Sequence, residues 1–256
     1  MHVAGPANRT IDRTARLEHL GAVDPSDGRG FNRVRDMRSA SSLDGRLVRV
    51  GVIAGAAAVT TYLVKTFLPL PDAVEVAFFL CRGPLVVIAF LGFYPFLAKP
   101  TPSVGALLGT VFGVIAGAAT MLFGAIQLSN LHYIRGFIRA AGSPEAAETW
   151  RDILQGVFTV QNGVSYVADF FLDGAAFLFA LSMWKHPKLG WWWSVLSVVL
   201  VGPHFIMKVI TFPEPPAEAG LFDAGPLVSI WFALVLVQVV RNLRWMDGSS
   251  DTPSAA

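Results

Sequence analysis

The chain has 256 residues, 54% of them hydrophobic and only 15% charged, a balance that ordinary water-soluble domains do not show and that makes a lipid bilayer the natural solvent. Its net charge of +2 comes from basic residues that lie beside the ends of apolar segments; they form no patch, so nucleic acid is not expected as a partner. With Cys81 as the only cysteine, neither an intrachain disulfide nor a thiolate-rich metal centre can form.

Residues 1–44 mix Arg, Asp, Gly, Pro and Ser with few apolar residues. They contain no apolar core followed by a small-residue cleavage site, and read as a flexible Arg-rich cytoplasmic arm. Its Arg29, Arg33, Arg35 and Arg38, with Arg46 and Arg49 beyond it, either touch anionic headgroups or mark the cytoplasmic side of the membrane. Residues 45–244 form an all-α, six-helix transmembrane domain, and 245–256 a disordered tail. The six apolar segments run roughly over 47–68, 73–98, 104–129, 160–184, 191–212 and 222–242, each long enough for a hydrocarbon core of about 30 Å. Pro69 and Pro71 end the first, and Lys99-Pro100-Thr101-Pro102 the second. In the long connection before the fourth, Ser143-Pro144-Glu145 supplies an N-cap, a first-turn proline and an early acid, predicting an interfacial helix near 143–159 that can run on into the span.

Placing the N-terminus inside puts the arm, Lys99, the Lys185-His186-Pro187-Lys188 turn, Arg241 and Arg244 on the cytoplasmic side. The opposite side then receives Pro69-Leu70-Pro71-Asp72 and the acidic 213–218 connection, so the expectation is N-in/C-in in an inner membrane. Trp191, Trp192 and Trp193 beside the inner turn fit an interfacial aromatic belt.

Gly105, Gly109, Gly113 and Gly117 form a ridge at intervals of four, with Gly51 and Gly55 as a shorter version. Such ridges let helix backbones approach closely, either inside one bundle or across a homodimer or partner seam. Gly83-Pro84, Gly202-Pro203 and Gly225-Pro226 interrupt the second, fifth and sixth spans; paired interruptions of this kind occur around midplane sites in transporters built from inverted repeats.

The segment Gln161 to Lys185 is apolar enough to span yet carries Asp169 and Asp173. Spaced by four, they share one helix face, and that face must look inward because a carboxylate among lipid tails costs a few kcal/mol or more. Arg82, and His204 with Lys208 at the same spacing of four, fall at matching depth, while Gln127, Asn130 and His132 close the third span and Lys65 the first. Three readings follow. A binding or translocation site for a small polar or lipid-derived ligand would use Asp169, Asp173, Arg82, His204 and Lys208 around a vestibule. The same groups could instead pair to set helix register, with the chain acting as a non-catalytic accessory subunit that stabilises a membrane complex through the glycine ridge and the arm. An intramembrane hydrolase is the third. No His-Glu-x-x-His pair, nucleophile elbow, phosphate loop or nucleotide fingerprint supports it, no metal is assigned, and cofactors stay unassigned.

The long connection before the fourth span, the Lys185-His186-Pro187-Lys188-Leu189-Gly190 turn, and the closing Pro226-Leu227-Val228-Ser229-Ile230-Trp231-Phe232 stretch leading to Arg241 resemble the uncharacterised bacterial six-span proteins grouped as the DUF4386 family. The resemblance covers the spans from about residue 47 onward, and implies an inner-membrane, prokaryotic setting without assigning residue roles.

Overall fold

The computed structural model describes residues 29–99, 101–212, 214–216 and 218–246, with side-chain surroundings from Leu43 onward except at 72, 73 and 131. Two units are distinguished, Met1–Ala40 and Ser41–Ala256. Of the first, only the opening turns of helix α1 (Arg29–Phe67) are described; residues 1–28 of the expected arm and 247–256 of the expected tail lie outside the described residues.

The second unit contains α2 (Asp72–Leu97), α3 (Val104–Ser129), one π-helical turn (Asn130–Ile134), α4 (Arg135–Ala140), α5 (Pro144–Met183), α6 (Trp191–Thr211), α7 (Gly225–Arg241) and α8 (Leu243–Met246), with no strand among the described residues. Among the described residues, five helices are long and apolar enough to cross a membrane, and α7, of 17 residues, is shorter. This architecture fits a helical membrane protein.

Several expected boundaries move, each for a local reason. Helix α1 begins at Arg29, well inside the expected arm; residues 29–44 contain no proline, so helix nucleated in the span propagates backward through Arg, Met and Leu. By contrast, the interfacial helix runs on into the fourth expected span, as the sequence allowed, in one 40-residue helix, α5. Its start is as the residues imply: the Ser143 hydroxyl accepts from the Ala146 amide at 3.2 Å, with Pro144 in the first turn. Helix α7 begins at Gly225, so Pro226 lies in its first turn, where the missing N–H costs no hydrogen bond. Among the described residues, the prolines inside helices beyond the first turn are Pro84, Pro95 and Pro203. At the far end, Trp245 and Met246 belong to the fold: Met246 is buried in α8.

Lipid tails offer no hydrophobic drive for helix association, so small residues and close packing must hold such helices together. The glycine ridge of α3 does this within the chain. At Gly105 an added Cβ would meet Leu178 O and the Ser182 hydroxyl, and at Gly109 the Phe179 ring, both on α5; at Gly113 it would meet the Phe90 ring and at Gly117 Val87 and Gly83 O, all on α2. The ridge is therefore filled by α5 and α2 within the chain. Gly51 faces Gly92, a glycine that the ridge pattern alone does not single out. An added Cβ at Gly51 would lie 2.6 Å from Gly92 Cα, so α1 and α2 meet backbone to backbone. Gly55 receives Leu236 and Phe232 of α7. Between these helices, Phe90, Phe93, Phe179 and Phe232 form a ring cluster with centroids 5.4–6.3 Å apart.

Candidate functional site

The two i, i+4 pairs read from the sequence do meet. His204 Nδ1 lies 2.8 Å from Asp173 Oδ2 and 3.1 Å from Oδ1, and Lys208 Nζ lies 2.7 Å from Asp169 Oδ2. A third rung, not expected from the sequence, joins the Tyr166 and Thr211 hydroxyls at 3.2 Å, and the Tyr166 hydroxyl also donates to the Glu214 carbonyl. Moving three and then four residues along α5, from Tyr166 to Asp169 to Asp173, moves three and then four back along α6, from Thr211 to Lys208 to His204. The result is one antiparallel polar seam at the spacing that interlocking helix ridges require. Tyr166 and Thr211 could have been found by extending each charged pair one further turn along its face.

Depth along the seam sets exposure. Asp173 and His204 are 1% and 4% exposed, whereas the Lys208 and Asp169 side chains keep 17% and 24%. A carboxylate so enclosed persists only when its oxygens are engaged, and the bifurcated contact with the His204 ring engages both. Nδ1–H donating to Asp173 leaves Nε2 as the second ring nitrogen, with no hydrogen-bond partner among the described residues. The dyad can thus hold or pass one proton between adjacent atoms. Ser165, whose hydroxyl makes no hydrogen bond to His204 among the described residues, does not complete a triad with it, and no group of three His, Cys, Asp or Glu able to hold a metal occurs among the described residues.

Beside the seam runs a groove of about 540 Å³ between α5 and α6. Asp173 and Lys208 line it together with the rings of Tyr166, Phe170, Phe171, Phe205 and Phe212. Phe170, Val209 and Phe212 at its edges are more than half exposed, so it opens sideways from the bundle. Lys208 also lies 4.8 Å from the Tyr166 ring centroid, and Tyr166 packs edge-on to Phe212.

The remaining expected members do not join. Arg82 sits over the Tyr62 ring at 4.7 Å; Asp169 acts on it through space, but the two make no ion-pair contact. The site is therefore built by the fourth and fifth expected spans without the second: Arg82 lies over an aromatic face on α1 and makes no ion pair with a carboxylate on α5. Lys65 pairs with Glu75 at 3.9 Å and covers the Phe79 ring at 3.4 Å. Gln127 and Asn130 form a separate polar cluster where α3 passes into the π turn. Asn130, 1% exposed, donates through Nδ2 to Gln161 Oε1 at 3.1 Å. Gln127 Oε1 and Asn130 Oδ1 are buried without a partner among the described residues. His132 lies exposed in the same turn. No protein-family model matches this chain, and neither a curated protein nor a solved structure matches it significantly.

Proposed function

We propose that the chain is a six-span, N-in/C-in protein of a bacterial inner membrane that binds, senses or moves a lipid-derived ligand in the groove between α5 and α6. The layout resemblance to the DUF4386 proteins supports the setting, and the distribution of Lys and Arg supports the orientation. The observation that carries the ligand reading is that a cation, Lys208, and a buried acid, Asp173, line an otherwise largely aromatic and aliphatic groove. Apolar pockets with a few convergent polar groups are the usual form of small-molecule sites. Charges of both signs set among rings fit a single-chain amphiphile with a zwitterionic head.

Photolabelling tests this with the full chain in lipid nanodiscs and a lysophosphatidylcholine carrying a diazirine on its acyl chain. Label is expected to concentrate on the peptides 163–173 and 205–212 and to fall several-fold in Val167→Trp, which narrows the groove from an exposed position. Label spread over all helices in proportion to their exposure would defeat the reading. A purely structural seam is the second reading, favoured by three rungs closed at 2.7–3.2 Å. It predicts that Asp173→Asn loses stability with labelling unchanged.

A further inference from the structure

A second cleft lies at the other end of the same two helices. About 890 Å³ in volume, it is bounded by the connection after α2, the last turns of α5 and the first turns of α6. Its two ends differ in chemistry. Lys99, Thr101 and Lys185 line one end, and Phe177, Leu181 and Val198 the other. Phe177 stands eight residues before Lys185 on or just beyond α5, so at ~1.5 Å per residue the cleft changes from cationic to wholly apolar over roughly 12 Å. Leu181, Trp184, Val198 and Val199 along it are all more than half exposed, so the cleft opens on the side of the bundle.

The polar groups here are unequally committed. The Ser103 and Ser182 hydroxyls bond each other at 2.9 Å, and Ser182 reaches the Leu178 carbonyl. Ser194 donates to the Ala180 carbonyl, and Lys99 to the carbonyls of Trp245 and Met246. The Lys185 ammonium and the Thr101 hydroxyl have no partner among the described residues. No acid occurs in 98–103, 182–194 or 236–246, whereas Lys99, Lys185, Lys188 and Arg241 do. The positive charge at this end is therefore not neutralised by those segments.

We infer that this cleft is a specific site for one anionic phospholipid, its phosphate at Lys185 and Thr101 under the field of Lys99 and one acyl chain lying along Leu181 and Val198. A bare anion would satisfy only the cationic end, and a neutral lipid only the apolar end. Basic pockets between helices at a membrane face bind acidic headgroups in this way. The site is separate from the α5/α6 groove and does not depend on what that groove binds.

The test is retention of lipid by the purified full chain after exchange into an equimolar mixture of phosphatidylglycerol and phosphatidylcholine with matched acyl chains, read by native mass spectrometry. The wild type is expected to retain phosphatidylglycerol about fivefold over phosphatidylcholine, the enrichment that one basic residue near an anionic headgroup supports. Lys185→Gln should remove the preference and Lys185→Arg keep it; the site is exposed, so both variants should fold. Val198→Trp alters no charge and fills the apolar end, and should also remove it. Equal retention of the two lipids, or a preference that survives either Lys185→Gln or Val198→Trp, overturns the proposal. So does equal thermal stabilisation by soluble glycerol phosphate, which would make the cleft a free-anion site.

Discussion

Asp173 and His204 are the residues whose environment leaves least freedom. Removing one member of a buried charged or hydrogen-bonded pair strands the other, a loss of about 3–5 kcal/mol where both are enclosed. Asp173→Ala is therefore expected to lower thermal stability far more than Asp169→Ala, whose partner Lys208 can reach solvent or headgroups by extending its stem. Comparable losses in the two variants would show that Asp173 is not enclosed. His186, in the turn after α5, makes a different prediction. Its Nε2 donates to the Phe96 carbonyl at 3.0 Å and its Nδ1 accepts from the Lys188 amide at 3.2 Å, which specifies the neutral ring. Burial pushes its pKa below the ordinary 6.5, against the pull of the Phe96 and Lys99 carbonyls. Lys99 and Lys188 lie near it across the Trp245 ring, and no acid occurs in 98–103, 182–194 or 236–246. The unfolded chain thus takes up this proton more readily than the folded one, so the contribution of His186 to stability is complete above about pH 6.5 and is lost as pH falls below it. His186→Gln, which retains a donor for Phe96, should flatten the difference in melting temperature between pH 7.5 and pH 5.5. An unchanged slope would mean that other groups set it.

At the scale of elements, the helices are joined by contacts that leave no room for a methyl group. Gly51→Ala would drive a Cβ into the Gly92 backbone, which cannot rotate aside as a side chain can. Overpacking of this kind costs typically 1–3 kcal/mol, and Gly51→Ala should stand at or above the top of that range. Gly113→Ala meets the Phe90 ring, itself fully buried, and should also destabilise. Gly156→Ala on α5 meets nothing within 4 Å and should stabilise by up to about 1 kcal/mol through helix propensity. Thermal melts of the three variants in one detergent check the order; a neutral Gly51→Ala would show that α1 and α2 do not meet there. The ridge of α3 was visible in the sequence as a spacing of four. Its occupants were not, because Phe90 and Phe179 come from two helices whose rotation about their own axes no local pattern reveals.

For the whole molecule, the proposed topology divides the connections between two sides. In a Cys81→Ser background, Lys185→Cys should react with a membrane-impermeant maleimide only after the membrane is opened, and Glu218→Cys without opening. The reverse pattern would invert the orientation while leaving the seam and both clefts in place. Helix α7, at 17 residues and ~1.5 Å per residue, is about 25 Å long, shorter than a hydrocarbon core of about 30 Å; as the sixth span of the proposed topology it would need flanking residues or local thinning to make up the difference. Its face toward α1 and α6 is nonetheless committed. Phe232 and Leu236 pack on Gly55, and Trp231 Nε1 donates to the Ser197 hydroxyl at 2.8 Å.

By itself the sequence determined the apolar helices, the cap at Ser143, and the fact that Asp169 with Asp173, and His204 with Lys208, must share inward faces. These follow from composition, from a period of 3.6 residues and from the cost of an unpaired charge among apolar groups, all of which act locally. Only the tertiary structure decided which carboxylate meets which cation, that Tyr166 and Thr211 extend the seam, that Arg82 turns to Tyr62, and that the glycine ridge is filled from within. Those outcomes depend on the register and rotation of one helix against another. Both are set by packing between residues distant in the chain, so Asp173 has the same neighbours in sequence whether it faces His204 or Arg82.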